Sequence, residues 1–288
     1  MKSSDFLIQP GSQVSLQDHP TDITGSFRKK QEAQAALQTG IEALSSYQDI
    51  LYAQNTYSLL LIFQAMDAAG KDSTIKHVMS GVNPQGCQVY SFKAPSAEEQ
   101  DHTYLWRNMK ALPERGRIGI FNRSYYEEVL VVRVHPEILA NQQLPDAAKN
   151  NTKIWQQRFE EINDFESYLT HNGTVILKFF LNVSKREQKS RFLKRIERPE
   201  KNWKFSFSDL KERQFWSDYM TAYEEMLSHT STHAAPWYII PADHKWFMRW
   251  AVADIIVERL KQLDLKYPQL SKSEQQRLSE AKKALENE

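Results

Sequence analysis

The feature that most constrains this chain is an apolar run that breaks into small residues and ends in Gly70-Lys71. Residues 59–63 are strongly apolar and predict a buried strand, while residues 72–80 have the pattern of a helix. A turn between such elements can surround phosphate oxygens with backbone N–H groups and the positive helix end, to which a Lys adds charge. We therefore predict a phosphate-binding cradle of the P-loop type. Its predicted residues are Ala69, Gly70, Lys71, Asp72 and Ser73.

The match to the consensus G-x-x-x-x-G-K-[ST] departs at two positions. Ala65 replaces the first Gly, which is tolerable if that residue needs no positive φ. Asp72 follows the Lys where a Mg²⁺-binding hydroxyl usually lies, and Ser73 is displaced by one. Asp67 is unusual because a carboxylate repels phosphate unless a metal bridges the two or a proton is shared. We interpret Asp67 as a ligand of the metal or of the acceptor phosphate; the alternative is a turn-stabilising Asp.

The composition is that of an ordinary globular protein. With 288 residues, 41% hydrophobic and 25% charged, the chain can form one large α/β domain or a domain with a lid. Cys87 is the only cysteine, which excludes an intramolecular disulfide and a cysteine-based zinc site and favours a reducing compartment. The apolar run near the start is too short for a signal peptide, and no run approaches about 18 apolar residues. We expect a cytoplasmic protein.

The charge of the chain is unevenly distributed. The net charge is only +1, but residues 185–204 contain nine basic and three acidic residues. A nearly neutral protein with one concentrated basic segment favours a local anionic ligand over general adhesion to nucleic acid or membrane. We therefore expect no nucleic-acid and no membrane partner.

Apolar runs that predict strands alternate with helical patterns. The strands are predicted at residues 58–63, 87–92, 117–121, 174–181 and 237–240. Helices are predicted at residues 27–53, 72–80, 97–112, 125–133, 152–170 and 209–229, and from residues 184 and 243 onward. Strands separated by helices of about ten or more residues imply βαβ units and a parallel sheet with helices on both faces. This predicts an α/β three-layer sandwich whose ligands lie at the carboxyl ends of the strands.

Phosphoryl transfer requires cations on phosphate oxygens, a bridging metal and two substrates held in line. Lys71 and the amides around Gly70 are predicted to hold one phosphate. Arg123 follows the third predicted strand and can bind a second phosphate with its planar guanidinium. Arg133 adds a third cation if the intervening helix folds back to the site. Asp67, Lys71 and Arg123 are accordingly the predicted catalytic residues.

The basic segment predicts a helix with one cationic face. Arg191, Arg195 and Arg198 follow a spacing of four and three residues, and Lys204 extends the same track. A solvated face whose Arg stems cover the core is the alternative. Because this helix follows a strand of a sheet that carries a phosphate cradle, we favour a role in binding a phosphorylated ligand.

Two polar residues near Arg123 are candidates for contact with a nucleotide or its metal. Asn122 lies where many P-loop enzymes have a strand-end Asp that binds Mg²⁺. Glu127 follows Arg123 by four residues, on the next helix. An exposed first helical turn favoured by the helix dipole is the alternative explanation for Glu127.

Several motifs in order resemble the polyphosphate kinase 2 family, especially its class III branch of polyphosphate-dependent nucleotide kinases. They are MDAAGKDST, SGVNPQGCQVYSFKAPS, LWR, GIFNRSYYEEVLVVRVHPE, LKFFLNVSKREQKSRF, KNWKFS-x-x-D and APWYIIPAD. The resemblance extends from about residue 51 to residue 265. It implies a P-loop kinase that transfers the terminal phosphate of inorganic polyphosphate to AMP and to ADP, so that AMP can be carried by way of ADP to ATP. It also implies Mg²⁺ as the cofactor, with Mn²⁺ as an alternative, and a homo-oligomer.

The resemblance also assigns roles to individual residues. Asp67 corresponds to the acid that binds the metal and orients the acceptor, while Lys71 and Arg123 correspond to phosphate binders. Candidates on the polyphosphate path are Arg133, Arg191 and Arg195. Asn122, with Glu127, fits the pattern of the AMP-tolerant class III branch, and both are assigned with Asp67 to nucleotide binding. Ser73 replaces a Gly that is frequent in the family, which affects only local loop detail.

The predicted organisation has three parts. They are an N-terminal arm at residues 1–25, a P-loop kinase domain at residues 26–267 with a helical lid at about 185–210, and a charged C-terminal helix at residues 268–288. Two alternative functions stay open. One is an ATP-dependent nucleotide kinase of the thymidylate kinase type. The other is a non-catalytic polyanion-binding P-loop protein, which Ala65 favours, although the absence of a base-stacking motif argues against single-stranded nucleic acid.

Overall fold

The sheet is built from the apolar runs that the sequence predicts as strands. The computed structural model describes residues 3–288, so Met1 and Lys2 of the predicted arm lie outside the described residues. The strands are β1 (Ser58–Gln64), β2 (Cys87–Ser91), β3 (Ile118–Asn122), β4 (Thr174–Asn182) and β5 (Trp237–Pro241). All four pairings are parallel, in the order β2-β3-β1-β4-β5. Each strand begins and ends within one residue of its predicted bounds.

β1 is the central strand of the sheet, and every one of its residues is buried. Such a strand has apolar side chains on both faces, and both faces must be covered by helices. Phe63 of β1 lies opposite Asn122 of β3 and opposite Phe179 of β4. The carboxyl ends of β1 and β3 therefore lie together, and the predicted α/β sandwich is confirmed.

Thirteen α-helices accompany the sheet within residues 3–288. Those near the amino end of the chain are α1 (Lys30–Gln54), α2 (Lys71–Val78), α3 (Ala97–Gln100), α4 (Trp106–Met109), α5 (Val131–Val134), α6 (Pro136–Asn141) and α7 (Asp146–Lys149). The remaining ones are α8 (Ile154–His171), α9 (Lys185–Glu197), α10 (Phe207–Glu212), α11 (Trp216–Thr230), α12 (Lys245–Gln262) and α13 (Lys272–Glu286). α12 packs against α1 and α2, whereas α8 packs against β4 and α11. Among residues 3–288, no helix combines the length and apolarity that a membrane span requires.

Some predicted helices are interrupted. The predicted helix at 97–112 was wrong in its middle, where only the short helices α3 and α4 form. Ser96 and Glu99 make a capping box that starts α3, and the chain leaves the helix at Asp101. The rings of His102 and Trp106 lie 3.9 Å apart between centroids, tilted by 43°, across the non-helical bend between the two helices. Contacts outside the helix backbone therefore outweigh local helix propensity here.

The segment that follows β3 begins as a 3-10 turn, Tyr125–Val129, before α5. The Ser124 hydroxyl accepts a hydrogen bond from the Tyr126 amide at 3.2 Å, as expected of a cap. Tyr125 and Tyr126 are both buried and both donate to Glu166 at 2.8 Å. Both hydroxyls thus converge on one carboxylate from a 3-10 turn.

Behind β4 lies a buried ion pair between Lys178 and Glu166, 2.5 Å apart. Lys178 also donates to the Tyr126 hydroxyl at 2.8 Å and to the Thr230 carbonyl at 2.7 Å. Burial lowers the pKa of Lys178, and the charge of Glu166 opposes that shift. Since each charge has several partners, the cluster is satisfied; loss of one partner of such a pair costs about 3–5 kcal/mol.

The chain before α1 packs along β5. The Ile8 amide donates to the Trp237 carbonyl at 2.9 Å, and Leu7 forms an antiparallel bridge with Tyr238. Phe6 and Ile8 are buried in the core. This segment covers the free edge of β5, where unpaired backbone groups would otherwise be exposed.

Candidate active site

The loop after β1, residues 65–70, forms the wall of the predicted cradle, and we call it the cradle loop. Gly70 precedes the first residue of α2 and has a φ of +114°, while Ala68 has a φ of +60°. A Cβ at Gly70 would lie 3.2 Å from the Met248 Cε and 3.6 Å from an Arg191 nitrogen. The backbone conformation therefore favours glycine here, and the space for a side chain is tight. Ala65 has no positive φ, which explains why it can replace the first Gly of the motif.

Lys71, the first residue of α2, reaches back to the start of the cradle loop. Its Nζ donates to the carbonyl of Ala65 at 2.8 Å, and the side chain is buried. Burial and the neighbouring Arg123 lower the pKa of Lys71 to about 8, while Asp67 opposes the shift. A phosphate bound beside the ammonium would raise this pKa again, because a nearby negative charge favours the protonated form.

Arg123 is directed into the site by a strained backbone. It follows β3 with a φ of +65°, and its amide donates to the Phe63 carbonyl at 3.0 Å. Its guanidinium pairs with Asp67 at 2.7 Å and with Glu127 at 3.5 Å. These carboxylates, Glu127 first, raise the pKa of Arg123 although burial opposes the shift. A non-glycine residue held at positive φ is typical of functional sites.

Glu127 is anchored from a second side as well. One of its oxygens accepts a hydrogen bond from Gln64, the last residue of β1, at 3.0 Å. Glu127 therefore joins the end of β1 to Arg123. Its geometry is that of a partly buried positioning group, which differs from the exposed helical turn that the sequence left as an alternative.

Asn122 and Asp72 form a pair that neither consensus position alone would predict. The Asn122 amide donates to the Asp72 carboxylate at 2.7 Å, linking the end of β3 to the first turn of α2. An amide can donate to a carboxylate, whereas an Asp at 122 would place two carboxylates in contact. The replacement of the usual hydroxyl by Asp72 is therefore accommodated by the replacement of the usual Asp by Asn122.

Arg191 supports the cradle loop from behind. Its side chain is buried, and its guanidinium donates hydrogen bonds to five acceptors. They are Glu187 and the carbonyl oxygens of Ala68, Ala69, Ala242 and Asp243. Arg191 thus joins the cradle loop to the chain after β5, and its predicted contact with polyphosphate stays a prediction.

The other predicted basic residues differ in their surroundings. Arg195 donates to the Lys204 carbonyl at 3.1 Å and pairs with Asp209 at 3.3 Å. Arg133 pairs with Glu225 of α11 at 2.6 Å. Arg198 and Lys204 are exposed on the surface of the segment from α9 to α10. The structure therefore brings Asp67, Lys71, Asn122, Arg123 and Glu127 together, while most of the predicted basic track braces neighbouring segments or faces solvent.

Sequence reasoning missed three residues that border this site. Asp209 lies in the first turn of α10 and pairs with Arg195 at 3.3 Å, and burial and the charge of Asp67 raise its pKa. Tyr223 of α11 is buried beside Glu127 and Arg123, and burial raises its pKa. Gln188 donates to the Asp67 carbonyl at 2.9 Å and accepts from Arg213 at 2.6 Å. Asp209 is the final residue of the motif KNWKFS-x-x-D, so a signal for it was present.

The donor set can be tested against the metal that phosphoryl transfer requires. Within residues 3–288, no group of three or more His, Cys, Asp or Glu could hold an ion by itself. Asp67 uses one oxygen for Arg123 and is partly exposed, and Asp209 lies within electrostatic reach. Mg²⁺ is commonly bound by one or two carboxylates together with substrate phosphates. The residues present fit such a shared site.

Comparisons with known proteins agree with this geometry. A family model described as "Polyphosphate kinase 2 (PPK2)" matches residues 27–268. The chain is 50% identical over 285 residues to an ADP-polyphosphate phosphotransferase of Rhodopseudomonas palustris, covering 99% of each chain. It is 44% identical over 265 residues to an AMP/ADP-polyphosphate phosphotransferase of Meiothermus ruber, covering 92% of this chain and 95% of that one.

A solved structure gives the same result for the fold. The crystal structure of polyphosphate kinase 2 from Arthrobacter aurescens TC1 superposes with a TM-score of 0.87 at 38% sequence identity. The match covers 97% of this chain and 96% of that chain. The similarity therefore includes the cradle loop, the strand ends and the segment from α9 to α10.

Proposed function

The chain belongs to the polyphosphate kinase 2 family, and we propose that it transfers the terminal phosphoryl group of inorganic polyphosphate to AMP and ADP. The relatives named above are phosphotransferases that use polyphosphate with ADP, or with AMP and ADP. One observation of the structure carries the proposal most directly. Lys71 at the cradle loop and the Arg123–Asp67 pair lie side by side, so two phosphates can meet between them.

Each residue has a defined task in the proposed reaction. The amides around Gly70 and the Lys71 ammonium bind the terminal phosphoryl group of the donor. Arg123 holds a phosphate of the acceptor, and Glu127 and Asp67 fix the orientation of its guanidinium. An acceptor phosphate oxygen then bonds to the transferred phosphorus as the bond to the penultimate phosphate breaks. The products are a nucleotide with one more phosphate and a polymer with one fewer.

We propose Mg²⁺ as the cofactor, with Mn²⁺ as an alternative, and Asp67 as its protein ligand. Asp209, whose pKa is raised by burial and by the charge of Asp67, is proposed to contribute a second carboxylate. When bound, such an ion neutralises charge that develops on the phosphoryl oxygens. Asn122, which is tied to Asp72, is proposed to contact the nucleotide.

The segment from α9 to α10 is proposed to act as a lid over the reacting groups. Gln188 of α9 holds the Asp67 carbonyl, and α10 carries Asp209. Two large side chains of this segment, Trp203 and Phe207, are about four-fifths exposed at 78% and 80%. A segment with few buried apolar side chains can open and close at low free-energy cost.

The donor distinguishes this proposal from the two alternatives. Purified protein would be incubated with AMP or ADP, Mg²⁺ and either polyphosphate or ATP, and nucleotides would be followed by chromatography. We expect ATP from ADP only with polyphosphate, and at least about a hundredfold less product with the Lys71→Ala control. Transfer from ATP to AMP without use of polyphosphate would instead indicate a nucleotide kinase. Salt-sensitive polyphosphate binding without turnover would indicate a non-catalytic protein.

A further inference from the structure

The first turns of α12 lie against the cradle at Gly70 and at the start of α2. Arg249 donates to the Ser73 hydroxyl, in the first turn of α2, at 2.7 Å. Met248 approaches the Cβ position of Gly70 to 3.2 Å. Lys245 precedes Arg249 by one helical turn, so both cations lie on one face of α12. This surface adjoins the place where the donor phosphate is proposed to bind.

These two cations lack counter-charges of their own. Throughout residues 3–288, Lys245 makes no hydrogen bond or ion pair, and the Arg249 Nε is buried without a hydrogen-bond partner. Partial burial and the nearby Arg191 and Arg249 lower the pKa of Lys245 to about 8. Glu187 is the carboxylate that acts on Lys245, and it is already paired with Arg191 at 2.8 Å. An anionic ligand would supply the missing counter-charge.

A cleft of about 320 Å³ continues from Arg249 between α1, α2 and α12, and we call it the α12 cleft. Its polar lining consists of Gln34, Gln38, His77, Ser80 and Arg249. The remaining three of its eight lining residues are apolar, so none is acidic. Amide, imidazole, hydroxyl and guanidinium groups can all donate hydrogen bonds to phosphate oxygens. The cleft therefore offers donors without repulsion to an anion that leaves the cradle past Arg249.

We propose that polyphosphate extends from the cradle over Lys245 and Arg249 into the α12 cleft, which thereby sets the preference for longer donors. This inference rests on the proposed function, because it assigns a path to the donor of that reaction. A single phosphate at the cradle would not reach the cleft, whereas a long polymer presents successive charges to both. The path is separate from the basic track of α9, most of whose arginines are engaged elsewhere.

The test compares donors of two lengths in paired variants. Lys245→Gln removes one contact near the cradle, and its control Lys261→Gln removes a cation from the exposed far end of the same helix. Gln34→Glu adds a carboxylate to the α12 cleft, and its control Gln31→Glu adds one a turn earlier on the exposed surface. KM, kcat and thermal unfolding would be measured with long-chain polyphosphate and with tripolyphosphate. Binding of long-chain polyphosphate alone would be measured by calorimetry.

We expect Lys245→Gln to raise the KM and the Kd for long-chain polyphosphate about tenfold, the value of one charge-assisted contact. Gln34→Glu should raise both about threefold, with a smaller effect on tripolyphosphate. The KM for ADP should change less than about twofold, and both controls should resemble the parent. Equal effects on both donors in Gln34→Glu, or unchanged constants in both variants of a parent that uses polyphosphate, would overturn the path. A parent inactive with polyphosphate would overturn the proposed function instead.

Discussion

The two flanks of the cradle differ in the sign of their charge. On the Arg123 flank, the cation is surrounded by Asp67, Glu127 and, within electrostatic reach, Asp209. On the α12 flank, Lys245 and Arg249 have no carboxylate of their own among residues 3–288. Both substrates of the proposed reaction are polyanions, so charge alone would not separate them. This difference indicates how the two ligands are distinguished. Carboxylates on the Arg123 flank favour a metal-bound nucleotide and repel a bare polyanion, whereas the α12 flank, which lacks them, favours the bare polymer.

Lys71 lies where the flanks meet, so its removal should have the largest effect. Lys71→Ala should lower kcat at least about a hundredfold, because charge stabilisation of the transferred group is lost. The measurement is nucleotide formation at saturating polyphosphate and ADP. Near-normal turnover, in a variant whose thermal unfolding matches the parent, would remove the cradle from the mechanism.

Asp209→Asn tests whether the Arg123 flank depends on its second carboxylate. We expect kcat to fall roughly thirtyfold, which corresponds to about 2 kcal/mol, and the Mg²⁺ requirement to rise. Titration of activity with MgCl₂ measures both effects. Asp218→Asn, on the exposed side of α11, is the matched control and should behave as the parent. An unchanged Mg²⁺ dependence would limit Asp209 to its contact with Arg195.

Arg191→Lys tests the support that both flanks share. A Lys cannot reach the Ala69 and Ala242 carbonyls at once, so the cradle loop should loosen. We expect about a tenfold loss of kcat and a lower Tm, as for one lost charge-assisted hydrogen bond. Lys189→Arg, an exposed change on the same helix, serves as the control. A selective rise in the KM for polyphosphate, with kcat and Tm unchanged, would instead support direct contact with the donor.

The pH dependence of kcat/KM should distinguish the contribution of Lys245 on the α12 flank from that of Lys71 at the cradle. The expected effect is smaller than those of the substitutions above. Lys71 and Lys245 both have pKa values lowered to about 8, so each is cationic below that pH and neutral above it. Groups that face Lys245 are Glu187, Arg191, Lys201 and Arg249. In the free enzyme, kcat/KM for polyphosphate should therefore fall about fourfold between about pH 8.0 and 8.5.

Lys245→Arg keeps its charge in this range, so only the titration of Lys71 should remain. The decline over the same half unit should then be about twofold. Initial rates at low polyphosphate, with saturating ADP and constant ionic strength, give this ratio. If the parent and Lys245→Arg decline equally, Lys245 does not contribute to donor binding in its charged form.

Much of the fold and half of the site follow from local sequence patterns. All five strands lie within one residue of their predictions, because a buried parallel strand is a short apolar run between turns. Residues of the Arg123 flank such as Asp67 and Glu127 were found because they adjoin strand ends, where ligands of parallel sheets bind. Helix interruptions were missed where side-chain contacts, such as that of His102 with Trp106, accompany a bend in the backbone.

The α12 flank could not be predicted because its members come from distant parts of the chain. Ser73 and Arg249 are 176 residues apart, and their hydrogen bond exists only after α12 packs on α2. The spacing of Arg191 and Arg195 predicted a cationic face but not which acceptors the guanidinium groups would meet. The domain division, the cytoplasmic location and the homo-oligomer stay predictions.

The hydrogen bond between Asn122 and Asp72 has a consequence for how such an enzyme can change over generations. Substitution of Asn122 alone by Asp would force two carboxylates to share a proton or separate, and substitution of Asp72 alone by Thr would leave the amide without its carboxylate acceptor. Each single substitution is unfavourable, whereas the double substitution places a hydroxyl beside a carboxylate. The two positions are therefore epistatic, and lineages are expected to cross between the two pairings only by coupled substitution.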